Sequence, residues 1–228
     1  MGCAAFFQPP CAAKKGKIME KRCVIVSAGP VADGMALPAE FAGCPVIACD
    51  AGWKNCQRLG LVPTRVLGDF DSSERPAGDN VTVLPREKDD TDTHYAARQA
   101  VQAGYTQVLL LGALGGARME HTLANIGTAL WLAQQGVQAI LLNEKSRVTV
   151  VLPGRVYTYP RQAYQYLSLF PLEGVCTGIT LTGAKYPLED AALGVNFPLG
   201  VSNEWAADTV RLQTRQGALL VIETLADR

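Results

Sequence analysis

The architecture of this chain is indicated most clearly by the stretch Val108-Leu109-Leu110-Leu111-Gly112-Ala113-Leu114-Gly115-Gly116. It begins with an unbroken apolar run, which is typical of a strand buried on both faces of a parallel sheet. Such a sheet needs helices above and below it. The glycines that follow predict a loop at the carboxyl end of the strand, where backbone N–H groups can approach a phosphate closely.

Helical patterns flank this strand on both sides. Before it, Thr91 is placed to cap a helix over Asp92–Ala103, and Asp92 is favourable in the first turn. After it, a second helix is expected over Glu120–Gln135 and ends before a glycine. The strand therefore lies inside a strand–helix alternation.

The alternation extends from the N-terminal region to residue 142. Further elements are expected at Cys23–Ser27, Val46–Cys49, Trp53–Leu59 (a helix), Arg65–Leu67, Val81–Leu84 and Ala139–Leu142. This order predicts a Rossmann-like α/β domain with a parallel sheet and helices on both faces. In such sheets ligands bind beyond the carboxyl ends of the strands.

The pattern changes after Asn143. Short strands without a helical period are expected at Arg147–Leu152, Arg155–Tyr159, Tyr164–Phe170, Val175–Leu181, Thr209–Thr214 and Ala218–Glu223. Turn signals between them predict a small antiparallel β-sandwich. We therefore expect an α/β domain over residues 19–144 and a β-sandwich domain over residues 145–228. Residues 1–18 are expected to be a disordered tail or a start-site extension ahead of Met19, because their charge order is the reverse of a signal peptide.

Composition excludes several classes of protein. The 228 residues carry a formal net charge of zero, so nucleic acid is not an expected partner. No apolar run reaches the roughly 18 residues needed to cross a bilayer, so no membrane association is expected. Seven cysteines without a Cys-x-x-Cys pair, and only two histidines, argue against structural zinc. The cysteine usage fits a reducing compartment, and we expect a cytoplasmic protein.

A candidate metal–phosphate site lies in Leu67-Gly68-Asp69-Phe70-Asp71-Ser72-Ser73. Successive side chains of an extended strand point to opposite sides, so the two carboxylates converge only where the backbone turns, and Gly68 permits a turn. Mg²⁺ usually shares a carboxylate pair with a substrate phosphate. The alternative interpretation is an Asp/Ser turn that caps the next element.

Further motifs follow in order along the chain. They are Asp89-Asp90-Thr91-Asp92, Gly112-Ala113-Leu114-Gly115-Gly116-Ala117-Arg118-Met119-Glu120-His121, Thr122-Leu123-Ala124-Asn125, Gly183-Ala184-Lys185-Tyr186-Pro187-Leu188 and Gly200-Val201-Ser202-Asn203-Glu204. In order and spacing, the set resembles the thiamine pyrophosphokinase family from about Val24 to Ile222. The resemblance implies Mg²⁺-dependent transfer of pyrophosphate from ATP to thiamine, which gives thiamine diphosphate and AMP. It also implies a homodimer with active sites at the subunit interface.

The resemblance implies a role for individual residues. The expected Mg²⁺ ligands are Asp69, Asp71 and Asp89. The expected catalytic residues are Asp71, Asp92 and Arg118, where Asp92 either takes the thiamine hydroxyl proton or supports a metal ligand. The expected nucleotide-binding residues are Asp50, Gly112, Gly115, Gly116, Arg118 and Asn125. The expected thiamine-binding residues are Ser202, Asn203 and Tyr186.

The chain departs from the family pattern at two points of the glycine motif. Ala117 is an extra residue between the glycines and Arg118, and Glu120 stands where the family has aspartate, which leaves the reach of Arg118 open. Two other functions are consistent with part of the sequence. A phosphatase of the haloacid-dehalogenase type would use Asp69 as nucleophile, Asp71 as acid/base and Ser73 as its hydroxyl residue. A sensor of thiamine or nucleotide would keep the site without turnover.

Overall fold

The computed structural model of this protein describes residues 20–71, 74–85, 87 and 89–226. The N-terminal tail, Ser72 and Ser73 lie outside the described residues. The strands are β1 (Arg22–Val26), β2 (Val46–Cys49), β3 (Arg65–Gly68), β4 (Val81–Val83), β5 (Gln107–Leu111), β6 (Gln138–Leu142), β7 (Ser146–Val151), β8 (Tyr157–Pro160), β9 (Tyr166–Pro171), β10 (Val175–Thr182), β11 (Leu188–Gly194), β12 (Asn203–Glu204), β13 (Thr209–Gln213) and β14 (Leu219–Thr224). The helices are α1 (Gly52–Arg58), α2 (Asp92–Gln102), α3 (Met119–Gln134) and a short 3₁₀ turn at Ala39–Phe41.

The first half of the chain forms a parallel sheet in the order β6-β5-β1-β2-β3-β4. Alternate residues of β1 are buried on opposite faces, as the strand period requires. Ile25 packs in the core with α2 and α3, whereas Val26 packs in a second core with Cys56 of α1. The predicted α/β architecture, with helices on both faces, is confirmed.

The second half of the chain extends this sheet and adds a layer to it. Strand β7 pairs antiparallel with β6, and β14, β9 and β12 follow, so the sheet has ten strands. The strands β11, β10, β13 and β8 form a separate antiparallel sheet. Apolar residues of both layers, such as Leu169, Val221, Ile179 and Leu212, share one buried cluster. The predicted β-sandwich is confirmed, but its continuity with the parallel sheet was not expected.

Two strands were not predicted from the sequence. Strand β11 carries Glu189 and Asp190 and lies at the edge of the smaller sheet, where only one of its seven residues is buried. Charged and alanine residues are depleted in strands, so an exposed edge strand of this kind gives little signal. Strand β12 has only two residues.

The described residues include five of the seven cysteines. Within these residues, Cys23, Cys44, Cys49, Cys56 and Cys176 are free thiols, and burial raises the pKa of Cys56 to about 11. No helix of this part of the chain combines the length and apolar character required for a membrane span.

Candidate active site

A cavity of about 560 Å³ opens at the carboxyl ends of β1, β2, β3 and β5. From β1 the chain builds the sheet outward through β2, β3 and β4, and then returns to place β5 on the other side of β1. The strand order therefore reverses between β5 and β1. A reversal of this kind leaves a crevice between the loops that leave the two strands, which is where ligands bind in open α/β sheets.

The loops after β1 and β5 are joined by backbone hydrogen bonds beyond the ends of the strands. The N–H of Ser27 donates to the carbonyl of Leu111 at 2.8 Å, and the N–H of Gly29 donates to the carbonyl of Gly112 at 2.9 Å. Gly112 has a φ of +61°, and a Cβ at this position would lie 2.3 Å from the Ser27 oxygen. Only glycine fits here.

A buried asparagine on α1 holds the first of these loops. The side-chain amide of Asn55 donates to the carbonyls of Ser27 and Gly29 at 2.8 and 2.7 Å. Asn55 was not predicted as a site residue. The available signal was an asparagine at a helix position that faces the sheet, next to the buried Cys56.

The glycine loop after β5 is fixed from its other side by α3. Gly115 and Gly116 have φ angles of +78° and +88°, which require glycine. The N–H of Gly115 donates to the Thr122 hydroxyl at 3.0 Å, and the Asn125 side-chain amide donates to the Ala113 carbonyl at 2.8 Å. Asn125 lines the cavity but is buried and braces the loop.

Arg118 lines the cavity despite the extra residue before it. Its Nε donates to Glu120 Oε1 at 2.8 Å, and both side chains are largely exposed. This hydrogen bond to Arg118 lowers the pKa of the Glu120 carboxyl. Glu120 therefore holds the guanidinium at the mouth of the cavity. His121 also lines the cavity.

Acidic side chains surround the same cavity. Those that line it are Asp50, Asp69, Asp71, Asp90 and Asp92. Asp89, the expected third metal ligand, does not line it and is exposed. Its neighbour Asp90 does, and accepts a hydrogen bond of 2.5 Å from Arg98 of α2. Among the described residues, no group of three or more His, Cys, Asp or Glu side chains is arranged to hold a metal ion.

The turn between the two motif aspartates is not where it was expected. Gly68 is the last residue of β3, and the residue with a positive φ, of +51°, is Phe70. Gly68 instead lies in a close contact, since a Cβ there would be 3.0 Å from the Cα of Asp50. The turn directs both carboxylates to the cavity, and the N–H of Asp71 donates to Asp69 Oδ1 at 3.3 Å.

The N-terminus of α2 reaches the cavity as predicted. The Thr91 hydroxyl accepts a hydrogen bond from the N–H of His94 at 3.1 Å, so Thr91 is the helix cap. Asp92, the first helical residue, lines the cavity. The hydroxyls of Thr93 and Ser27 lie 2.7 Å apart and tie the helix to the loop after β1.

The residues expected to bind thiamine lie in the second half of the chain, and none of them lines this cavity. Asn203 is buried. Its Oδ1 accepts hydrogen bonds from the N–H groups of Tyr186 and Glu204 at 3.0 and 2.9 Å, and its Nδ2 donates to the Tyr186 carbonyl at 2.7 Å. The Tyr186 side chain is 61% exposed. Ser202 has a φ of +58°. Trp205 is buried in the sandwich core, where its indole donates to the Tyr159 carbonyl at 2.9 Å.

Comparisons with known proteins agree with this arrangement. Two family models match the chain: "Thiamin pyrophosphokinase, catalytic domain" over residues 43–141 and "Thiamin pyrophosphokinase, vitamin B1 binding domain" over residues 155–219. The thiamine pyrophosphokinase of Bacillus subtilis (strain 168) is 27% identical, and the match covers 78% of this chain and 86% of that protein.

Solved structures resemble the whole fold. A thiamine pyrophosphokinase from Bacillus subtilis superimposes with a TM-score of 0.81 at 26% identity, and covers 91% of this chain and 100% of its own. A thiamin pyrophosphokinase from Geobacillus thermodenitrificans gives 0.77 at 30% identity, with 90% and 98% covered. Because the family models match both halves and the solved structures match the fold that joins them, the chain belongs to the thiamin pyrophosphokinase family.

Proposed function

We propose that the cavity at the carboxyl ends of β1, β2, β3 and β5 is where this thiamine pyrophosphokinase binds ATP and carries out its reaction. The protein transfers pyrophosphate from ATP to the hydroxyl of thiamine and forms thiamine diphosphate, so AMP is the other product. One observation carries the proposal: a glycine loop, an arginine and five aspartates line a single cavity. Pyrophosphoryl transfer depends mainly on positioning and on balancing phosphate charge, and these groups supply both.

The glycine loop and Arg118 are proposed to bind the phosphates of ATP. Glycine at positions 112, 115 and 116 lets the backbone of this loop approach a phosphate closely, because no side chain stands in the way. Arg118 presents a planar, permanently charged donor group suited to phosphate oxygens. Its pairing with Glu120 at 2.8 Å keeps the guanidinium close to the loop before ATP arrives.

The carboxylates of the cavity fit a magnesium ion. Carboxylates repel phosphates unless a cation lies between them. Mg²⁺ is typically bound by one or two carboxylates together with substrate phosphates and water, so a complete cage of protein ligands is not required. Asp69 and Asp71 are the proposed ligands, with Asp89 as the third by resemblance and Asp90, which lines the cavity, as its alternative. When bound, the ion would neutralise charge on the phosphates of ATP.

Asp92 is proposed to act on the thiamine hydroxyl. It lines the cavity at the first turn of α2, where Thr91 caps the helix and fixes its start. A carboxylate in this position can accept the proton of the hydroxyl as it attacks the β-phosphorus of ATP. Asp50 is proposed to contact the nucleotide, since it lines the cavity next to the aspartate loop.

We further propose that each active site is completed by a second subunit. Among the described residues, those that line the cavity of one chain all lie between Ser27 and Asn125. The stretch of chain that carries the proposed thiamine residues also carries large apolar residues that are 42% to 65% exposed, namely Tyr186, Val195, Phe197, Leu199 and Val201. Exposed apolar residues can mark a binding site for another protein when they are grouped, and closed dimers pair equivalent surfaces.

In this arrangement the two halves of the chain bind different substrates. Residues 19–144 are proposed to bind ATP and metal, and residues 145–228 to bind thiamine, which the positions of the two matching family models support. Cysteine usage remains the basis for proposing a cytoplasmic location.

The test is a product assay with ATP, Mg²⁺ and thiamine followed by phosphorus NMR. AMP and thiamine diphosphate should rise together in equal amounts. Formation of ADP with thiamine monophosphate would contradict attack at the β-phosphorus. Asp71→Asn and the exposed Asp79→Asn provide a matched pair of variants, and only the first should abolish the products if the cavity is the site.

A further inference from the structure

Asn55 lies behind the cavity rather than in it. It does not line the cavity, and 6% of its surface is exposed. Its Nδ2 group nevertheless donates to two carbonyls of the loop after β1, those of Ser27 at 2.8 Å and Gly29 at 2.7 Å. A primary amide has two N–H donors on one nitrogen, so a single side chain satisfies both oxygens.

A short series of contacts connects Asn55 to the proposed phosphate loop. The Gly29 carbonyl that it holds is followed by Pro30, and the Pro30 ring packs so closely on the glycine loop that a Cβ on Gly116 would lie 3.0 Å from the proline Cδ. The amide of Gly29 also donates to the Gly112 carbonyl at 2.9 Å. The position of the loop after β5 thus depends on the loop after β1, and that loop depends on Asn55.

We propose that Asn55 is a positioning residue for ATP: it sets the loop after β1 so that Pro30 and Gly29 hold Gly112 and Gly116 at the distance that phosphate binding requires. The inference rests on the proposed function of the cavity. It concerns how the proposed ATP loop is held. A change of Asn55 should therefore raise the KM for ATP and alter the KM for thiamine much less.

Few side chains could replace Asn55 and still donate to both carbonyls. Alanine would leave two carbonyls in a buried site without the Asn55 donors, and a buried acceptor without a partner is unfavourable. Aspartate has nearly the same shape as asparagine but brings an ionised oxygen against two carbonyl oxygens. Neither substitution alters a residue that lines the cavity. Any change in the KM for ATP must therefore result from a change in the positions of the loops after β1 and β5.

The main experiment compares Asn55→Ala with Asn80→Ala. Asn80 also donates its side-chain amide to a loop carbonyl, that of Pro63 at 2.9 Å, but it precedes β4 and therefore lies at the opposite rim of the sheet. Asn55→Ala should raise the KM for ATP about tenfold, a change that corresponds to 1.4 kcal/mol. The KM for thiamine should change less than about twofold, and Asn80→Ala should leave both constants at the wild-type level.

A purely structural role for Asn55 predicts a different result. Loss of folded protein would lower the apparent kcat and the melting temperature without changing the ratio of the two KM values. An unchanged KM for ATP in a folded Asn55→Ala variant would overturn the proposal. Asn55→Asp provides a second test, because its KM for ATP should fall as the pH is lowered and the protonated acid regains a donor. A KM for ATP that stays independent of pH while the variant remains folded would contradict the proposal.

A measurement on the unmodified protein covers the case in which neither variant folds. The side-chain amide signal of Asn55 in a ¹⁵N spectrum should shift on addition of a non-hydrolysable ATP analogue with Mg²⁺. No shift under saturating analogue would overturn the proposal. If the wild-type protein makes no thiamine diphosphate, the proposed function fails, whereas an active wild type with unaltered ATP constants in the variants rejects only the role of Asn55.

Discussion

The proposed ATP cavity and the segment around Tyr186 are both held by buried asparagines, but one surface is concave and the other projects outward. Asn55 and Asn125 brace the loops of the cavity, and Asn203 braces the segment around Tyr186. All three asparagines are buried, and each uses its side-chain amide to hold a backbone carbonyl. In the cavity the braced loops form a concave site. At Tyr186 the braced backbone presents an exposed aromatic ring.

The two regions differ in how much of the proposed binding site a single chain provides. The loops of the cavity converge within one chain, so the groups proposed to bind ATP are already in place there. The Tyr186 ring projects from the surface, where a ligand or a neighbouring subunit could cover it. Asn203 makes three hydrogen bonds to backbone groups and so fixes the backbone that carries Tyr186.

The largest expected effect follows from changing a proposed metal-binding carboxylate of the cavity. Asp71→Asn should reduce kcat by roughly 10²–10³-fold, the range seen when one group that balances transition-state charge is removed. Thiamine affinity, measured by calorimetry, should remain close to that of the wild type, since thiamine is proposed to bind to the other region. An equal loss of thiamine affinity and activity would mean that the variant is misfolded. Asp79→Asn is the control.

Mixing variants tests whether the two regions meet across subunits. Asp71→Asn and Asn203→Ala chains, each inactive alone, should recover roughly a quarter of wild-type activity after co-refolding. Random exchange makes about half of the dimers mixed, and each mixed dimer has one site without a lesion. If heterodimers form but remain as inactive as the parents, one chain must build the whole site.

Removal of the exposed Tyr186 ring should change the KM for thiamine and leave the KM for ATP unchanged. A cationic thiazolium against an aromatic face is stabilised by about 0.5–2 kcal/mol, so Tyr186→Ala should raise the KM for thiamine about 2- to 30-fold. Tyr186→Phe keeps the ring and should behave like the wild type. Steady-state kinetics with each substrate varied in turn would measure both KM values. A rise in the KM for ATP instead of the KM for thiamine would contradict the separation of the two regions.

The smallest expected effect concerns the pair formed by Arg118 and Glu120. Glu120→Gln should raise the KM for ATP by about two- to fivefold, because an exposed ion pair contributes little. The pKa of Glu120 is lowered, so the pair is complete above the ordinary pKa of glutamate and is lost only as the pH falls through the lowered value. The ratio of variant to wild-type KM should therefore be constant from about pH 6 to 8. A ratio that changes within this range would assign the effect to another group.

Much of the fold could be predicted because local patterns determine it. The apolar runs of β5 and β6, the Thr91 cap and the glycines after β5 all occur as expected. The role of Asn55 depends on carbonyls 26 and 28 residues away in sequence, and no local pattern reports such a partner. A positive φ at Phe70 was missed because it is uncommon for residues other than glycine.

The pairing of β6 with β7 has a consequence for any attempt to study the nucleotide-binding half alone. Three backbone-paired positions, from Ile140–Thr149 to Leu142–Arg147, join the parallel strands to the antiparallel ones. Cutting the chain at residue 144 would turn β6 into an open edge whose N–H and C=O groups have lost their neighbour. Open, apolar edge strands pair with other copies and aggregate. A fragment of residues 20–144 is therefore expected to precipitate unless β7 is retained or charged residues are placed along the new edge.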